Sequence, residues 1–78
     1  MDAFAEIQKI IAANLAIPLT SVRPGSRASD LPQWDSLQHV LIVMDIEESF
    51  RFKFALEEIA DLDSVEKIMA AVQRRVLA

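Results

Sequence analysis

Apolar residues recur every three or four positions in three long stretches of the chain, which is the spacing of amphipathic helices. The first stretch runs from Asp2 to about Leu15, with Asp2 available as its N-cap. The second runs from Ser36 to about Phe50. The third lies near the C-terminus, and its apolar stripe consists of Val65, Ile68, Met69, Val72 and Val76. The pattern therefore predicts three long helices.

The starts of the second and last predicted helices have nearly the same local chemistry. Asp35 precedes Ser36 and can cap the helix, and Gln38 three residues later completes a pair that resembles a capping box. Asp63-Ser64-Val65-Glu66 offers a second box of the same kind. In this interpretation Ser36 is the first helical residue and its hydroxyl faces outward. Capping by itself does not distinguish Ser36 from Ser64.

The segments between the long helices predict one functional loop, one turn and one short helix. From Ala16 to Trp34 no helical period survives, and loops longer than about 12–15 residues are usually functional or disordered. In residues 51–54, charged and aromatic side chains alternate, as in a short strand. Because no second strand is available to pair with it, we expect a turn that places Phe52 or Phe54 in the core. Residues 56–62 predict a brief helix with Glu57 and Glu58 outward and Ile59 inward. The predicted fold is all-α, a small four-helix bundle with a long loop between helix 1 and helix 2 and a short third helix, in a single domain spanning residues 1–78.

The second helix carries more apolar surface than one core needs. Leu37, Val40, Val43 or Met44, Ile46 and Phe50 define a wide apolar face, and the run from Val40 to Met44 extends it around the helix. Two explanations remain open at this point. Either part of this surface meets a partner or lines a cavity, or the long loop simply buries it.

Composition and charge exclude several classes of protein. The chain has no Cys and a single His, which leaves no disulfide framework and no zinc centre of Cys and His ligands. Between Asp30 and Glu66, ten acidic residues face only two basic ones, so a nucleic-acid partner is disfavoured and partners that present Lys and Arg are favoured. The longest apolar run is too short for a membrane span, and Asp2 and Glu6 stand where a signal peptide would be basic. We expect a cytoplasmic protein, as a monomer that binds no membrane.

Several motifs together resemble the acyl carrier protein family over essentially the whole chain. They are Trp34-Asp35-Ser36-Leu37-Gln38-His39-Val40, Met44-Asp45-Ile46-Glu47-Glu48-Ser49-Phe50, Phe54, Glu57-Glu58-Ile59 and Val65, together with the predicted helix order and the long first loop. The resemblance implies that Ser36 carries a covalent 4′-phosphopantetheine, with Asp35 and Leu37 beside the attachment site. That group would supply the thiol that a chain without Cys lacks. The Trp-Asp-Ser-Leu form resembles discrete carriers of specialised pathways.

The resemblance also implies which partners the protein has. A phosphopantetheinyl transferase would load Ser36 from coenzyme A. Acyl-loading, synthase and acyl-transfer enzymes with basic docking patches would then use the thioester. The implied partner-binding residues on and before the second helix are Trp34, Leu37, Val40, Met44, Glu47 and Glu48. Trp34 is expected to act as a lid over the base of this helix or as a partner contact, and His39 as a solvent-facing residue beside the arm.

Three functions remain open from the sequence, and none of them is catalytic. The leading one is an acyl carrier of fatty-acid, polyketide or related biosynthesis. The alternatives are an aminoacyl or peptidyl carrier of a nonribosomal-peptide-type pathway and an unmodified interaction module with the carrier fold. A hydrolase is disfavoured, because Ser36 lacks a plausible triad when the lone His39 lies three residues away on the same helix.

Overall fold

The computed structural model describes residues 3–76, and within this range it contains four α-helices and two short 3₁₀ turns. The helices are α1 (Ala3–Leu15), α2 (Ser36–Phe50), α3 (Leu56–Ile59) and α4 (Val65–Val76). The 3₁₀ turns, Leu19–Ser21 and Ala28–Asp30, both lie in the long loop between α1 and α2. The predicted small helical bundle is confirmed. The predicted N-cap Asp2 lies outside the described residues, as does the side chain of Val76.

The core is built where α1 packs against α2 and α4. The residues of these helices with no exposed surface are all apolar: Ile7, Ile11, Ile42, Ile46, Val65, Ile68 and Val72. Full burial of such a side chain contributes about 1.5–3 kcal/mol, so a chain without disulfides depends on these positions. Within residues 3–76, no helix is both long and apolar enough to cross a membrane.

The segment after α2 is a turn, as the sequence predicts. Arg51 adopts a left-handed conformation (φ 61°) that ends α2, and residues 52–55 then follow an irregular path. Phe54 is buried and Phe52 is half-buried, and their rings meet edge to face with centroids 4.8 Å apart. The predicted turn that places one of these rings in the core is confirmed, and the ring is that of Phe54.

The third helix is shorter than predicted, and the fourth begins differently. α3 ends at Ile59 instead of near Leu62, because turns occupy residues 60 and 61 before Leu62 enters the core. At α4 the cap is Ser64, whose Oγ accepts the Lys67 N–H at 3.1 Å. The expected cap by Asp63 is therefore wrong.

The long loop is attached to the start of α4 by backbone hydrogen bonds. The Ala28 N–H donates to the Asp63 carbonyl at 2.8 Å, and the Val65 N–H donates to the Ser26 carbonyl at 2.9 Å. Gln8 of α1 holds the loop from the other side, through its Nε2, which donates to the carbonyls of Leu19 and Val22. These contacts hold the loop between α1 and α2 in place as far as Ser36, although it contains no long helix.

Candidate functional site

Asp35 caps α2, but the predicted capping box is incomplete. The Gln38 N–H donates to Asp35 Oδ1 at 2.9 Å, and the His39 N–H donates to the Asp35 carbonyl at 2.9 Å. The Asp35 N–H donates to the Gln33 carbonyl instead of to the Gln38 side chain. Gln38 Oε1 is buried without a hydrogen-bond partner in the described part of the chain. The cap is therefore formed by the carboxylate alone, and the reciprocal bond of the box is absent.

Ser36 is the first residue of α2 and is exposed. Its hydroxyl has no hydrogen-bond partner among residues 3–76, because Asp35 and not Ser36 supplies the capping oxygen. Ser64, by contrast, is 9% exposed and its hydroxyl is engaged in capping α4. The first N–H groups of a helix and its dipole create a positive environment, so Ser36 combines a free hydroxyl with a location that favours an anion.

A surface groove opens directly beside Ser36. It has a volume of about 390 Å³ and is lined on one side by Trp34, Asp35, Ser36, His39 and Val40. Ala28 of the loop and Ala60 and Asp63 of the turn between α3 and α4 form the other side. The mixture of rings, methyl groups and two carboxylates can accommodate the first part of a flexible chain attached to Ser36.

His39 and Trp34 form one wall of this groove and hydrogen-bond to each other. The Trp34 Nε1–H donates to His39 Nδ1 at 3.0 Å, and His39 Nε2 lies 2.7 Å from the Ile59 carbonyl oxygen of α3. His39 is half-buried, so its expected solvent-facing position is wrong. Trp34 is 7% exposed, which leaves little of it for a partner and supports the lid role over the base of α2.

The outer face of α2 carries an exposed apolar stripe. Leu37, Val40, Leu41 and Met44 are respectively 66%, 49%, 39% and 56% exposed. Leu37, Leu41 and Met44 follow one another at spacings of four and three residues, so they lie along one side of the helix, opposite the buried Ile42 and Ile46. The loop does not cover this surface, and the alternative of simple burial is therefore wrong. Leu41 belongs to the stripe although it is absent from the expected partner-binding set.

Glu47 and Glu48 have different surroundings, although the sequence treats them as a pair. The side chain of Glu47 is 11% exposed, and its carboxylate accepts the Phe54 N–H at 2.8 Å and lies 3.9 Å from Lys53 Nζ. Glu47 therefore anchors the turn after α2 and is poorly placed to meet a basic partner. Glu48 is exposed. Of the two, only Glu48 is free to act as an acidic contact at the end of the apolar stripe.

Glu58 also differs from the sequence expectation, because it points inward to the end of α4. Its carboxylate accepts the Ala55 N–H at 2.8 Å and forms ion pairs with Arg75 and, at 3.9 Å, with Arg74. The hydrogen bond from Ala55, followed by the charge of Arg75, holds the pKa of Glu58 below its ordinary value. The Arg75 guanidinium lies 5.5 and 5.3 Å from the ring centroids of Phe52 and Phe54. This cluster fixes α3 against α4.

Comparison with known proteins is consistent with the resemblance of the motifs. No protein-family model matches the chain. An acyl carrier protein from Helicobacter hepaticus is 29% identical over 73 residues, which cover 94% of this chain and 96% of that protein. The chain is thus similar, over nearly its entire length, to a protein of the family that its motifs resemble.

Proposed function

We propose that this chain is an acyl carrier protein whose Ser36 carries 4′-phosphopantetheine. The observation that carries the proposal is the free, exposed hydroxyl of Ser36 at the start of α2, beside an open groove. The similarity to an acyl carrier protein over 94% of the chain supports it independently. When attached, the group supplies a terminal thiol that holds acyl chains as thioesters.

The residues around Ser36 suit attachment of this group. The phosphodiester is an anion, and the unpaired N–H groups in the first turn of α2 stabilise negative charge. The oxygen of Ser36 would bond to the phosphorus of coenzyme A and displace 3′,5′-ADP. The hydroxyl proton would pass to a base of the transferase and not to His39, both nitrogens of which are engaged by Trp34 and Ile59. The chain itself would deliver acyl groups and would not catalyse their reactions.

The apolar stripe of α2, defined by Leu37, Val40, Leu41 and Met44, is the proposed docking surface for partner enzymes. Its central residues are apolar, and Glu48 adds one free carboxylate at its far end. Because the carboxylate of Glu47 is engaged by the turn, apolar contact contributes more to docking than charge does. The transferase and the acyl-loading, synthase and acyl-transfer enzymes would share this surface, since all of them must reach Ser36 at its end.

The proposed setting is a dedicated carrier of the cytoplasm, monomeric, in a polyketide, nonribosomal-peptide or modified-lipid pathway. The Trp-Asp-Ser-Leu motif and the apolar Leu41 on the docking surface support this subtype. The mass of the thioester species isolated from the native host would identify the cargo. An aminoacyl thioester there would favour the peptidyl-carrier alternative.

Attachment is tested by incubating the purified protein with coenzyme A and a promiscuous phosphopantetheinyl transferase and then measuring the intact mass. We expect the wild type to gain one prosthetic group and Ser36→Ala to gain none. Ser64→Ala is the matched control, since it removes a hydroxyl from the other Asp-Ser helix start and should be modified like the wild type. A wild type that gains no mass would favour the unmodified interaction module, and a modified Ser36→Ala would place the attachment site elsewhere.

A further inference from the structure

The only Trp and the only His of the chain are hydrogen-bonded to each other on one wall of the groove beside Ser36. Trp34 is at the end of the loop and His39 is in α2. The ring of His39 also reaches the carbonyl of Ile59, the last residue of α3. These two side chains therefore connect three segments of the fold around one wall of the groove.

The hydrogen-bond partners fix the protonation state of His39. An indole N–H can only donate, so Nδ1 of His39 must be the acceptor at 3.0 Å. A carbonyl oxygen can only accept, so Nε2 must carry the proton that is donated to Ile59 at 2.7 Å. This is the neutral imidazole with its proton on Nε2. Both nitrogens are then satisfied.

A second proton on His39 is incompatible with this arrangement. In the imidazolium both nitrogens carry hydrogen, so Nδ1–H would face the indole N–H and the bond between the two rings would be lost. Trp34 is only 7% exposed, and among the described residues its indole N–H is bonded to His39 Nδ1 and to no other acceptor. Protonation therefore favours a conformation in which Trp34 leaves its buried position.

The charged groups around His39 do not replace the lost bond. Asp35 and Asp63 are the carboxylates that line the groove with His39. The Asp35 carboxylate already caps α2 through the Gln38 N–H. From α3, Glu58 lies next to Ile59, but its carboxylate is paired with Arg74 and Arg75. Asp35 and Glu58 thus already accept other hydrogens in the structure, and the indole N–H of Trp34 is bonded to His39 and to none of these carboxylates.

We propose that Trp34 and His39 form a proton-sensitive latch on the wall of the Ser36 groove. The latch is closed when His39 is neutral, with Trp34 over the base of α2. It opens when His39 takes up a proton, and the groove then loses the wall that Trp34 and His39 provide. His39 is thus a positioning residue for any group attached to Ser36. That last consequence rests on the proposed function, whereas the latch itself does not.

The latch is tested on the unmodified protein by changing the pH from 8 to 5, the range in which histidines exchange protons. The fluorescence of the single Trp reports its exposure, and the NMR signals of the single His report its protonation. We expect the emission of Trp34 to shift to longer wavelength in step with the titration of His39, while far-ultraviolet circular dichroism shows that the helices persist.

Two variants of His39 separate the latch from general acid effects. His39→Gln keeps an acceptor for the indole and a donor for Ile59 but cannot be protonated, so its emission should stay constant between pH 8 and 5. His39→Leu removes both bonds, so its emission should be shifted at every pH. Wild-type emission that stays constant while His39 titrates would overturn the latch, as would a transition of the same size in His39→Gln.

A variant of Trp34 keeps the test available if His39→Leu does not fold. Trp34→Phe removes the hydrogen bond that stabilises neutral His39, so the NMR titration of His39 should move to higher pH than in the wild type. An unchanged titration would show that the bond does not control protonation, and would also overturn the latch.

The consequence for the attached arm is measured on the loaded protein. The reaction rate of the arm thiol with a soluble disulfide is compared between wild type and His39→Gln at each pH, so that the intrinsic pH dependence of the thiol cancels. We expect the rate of the wild type divided by the rate of His39→Gln to rise above one as the pH falls. A ratio that stays constant, with the fluorescence transition present, would limit the latch to the unmodified protein and contradict the positioning role of His39. Failure of the protein to accept the arm would instead contradict the proposed function and leave the fluorescence result unaffected.

Discussion

Helices α2 and α4 both begin with Asp-Ser, yet the fold uses the two pairs in different registers. At α2 the Asp35 side chain caps the helix and Ser36 is left with a free hydroxyl. At α4 the cap is one residue later, so the Ser64 hydroxyl is engaged, and Asp63 forms an ion pair with Lys67 at 3.2 Å. A shift of one residue in the cap decides whether a serine is available for chemistry.

The two helices also differ on their outer faces. The outer face of α4 is polar, with Glu66, Lys67, Gln73 and Arg74 exposed. The outer face of α2 carries the apolar stripe defined above, so this helix is apolar towards both core and solvent. An exposed apolar surface of this kind marks an interaction site more often than a structural need. The free hydroxyl and the apolar outer face occur on the same helix, which is what a carrier that presents its cargo to partners would require.

The largest expected effect is a difference in stability between substitutions on the buried face and on the exposed face of α2. Ile42→Ala removes a side chain with no exposed surface and should lower the free energy of unfolding by about 2–5 kcal/mol. Leu41→Ala, at the neighbouring position that is 39% exposed, should lower it by only about 1 kcal/mol and should slow loading by the transferase. Urea denaturation and loading rates of both variants provide the comparison. Equal destabilisation would show that the stripe belongs to the core.

The second prediction separates the two glutamates near the end of α2. Glu47→Lys leaves the Phe54 N–H without its acceptor and places a cation near Lys53, so we expect a loss of about 1–3 kcal/mol. Glu48→Lys is the matched exposed change and should cost less than about 0.5 kcal/mol. The same denaturation assay measures both. A low-salt transfer rate that falls for Glu48→Lys would show that charge contributes to docking, whereas an unchanged rate would leave docking to the apolar stripe.

The third prediction compares the two Asp-Ser starts directly. Ser64→Ala removes the cap of α4 and should lower the free energy of unfolding by about 0.5–2 kcal/mol. Ser36→Ala removes a hydroxyl without a partner in the described structure and should have an effect within about 0.5 kcal/mol. Thermal unfolding of the two unmodified variants distinguishes them. Similar losses would mean that Ser36 also supports its helix.

The smallest expected effect concerns acid and the cluster at the end of α4. The pKa of Glu58 is lowered in the folded protein, so its ionised form stabilises the fold above the ordinary pKa of a glutamate. That contribution is lost as the pH falls through the lowered value, because the unfolded chain takes up the proton first. Urea midpoints should therefore fall less steeply with decreasing pH in Glu58→Gln than in the wild type. If the urea midpoints of the wild type and Glu58→Gln fall in parallel with decreasing pH, Glu58 does not contribute to the loss of stability in acid.

Much of the fold could be predicted because it depends on local signals. The bounds of α2, from Ser36 to Phe50, follow from the Asp35 cap and the apolar spacing, and the turn that buries Phe54 follows from the lack of a pairing strand. The end of α3 and the cap of α4 were predicted wrongly. The turn between these helices is bonded to the loop, where the Ala28 N–H donates to the Asp63 carbonyl. This contact joins residues 35 positions apart, so local spacing does not reveal it.

Parts of the site could not be predicted, because they depend on contacts between distant segments. The sequence assigned the same role to Glu47 and Glu48. Only the hydrogen bond from the Phe54 N–H to the Glu47 carboxylate distinguishes them. The position of His39 was missed because its partner Ile59 lies in another helix. The spacing of Trp34 and His39, five residues apart across a helix start, was the available signal for their contact.

The sequence by itself determined where the three long helices lie and that a serine follows an aspartate at the start of α2, since spacing and capping act within a few residues. The tertiary structure alone decided which of two such serines is free, which glutamate is exposed and what surrounds His39. The physical reason is that a hydroxyl, a carboxylate or an imidazole is available only if no distant backbone group occupies it. For Ser36 the fold leaves the hydroxyl without a partner, and for Ser64 it does not.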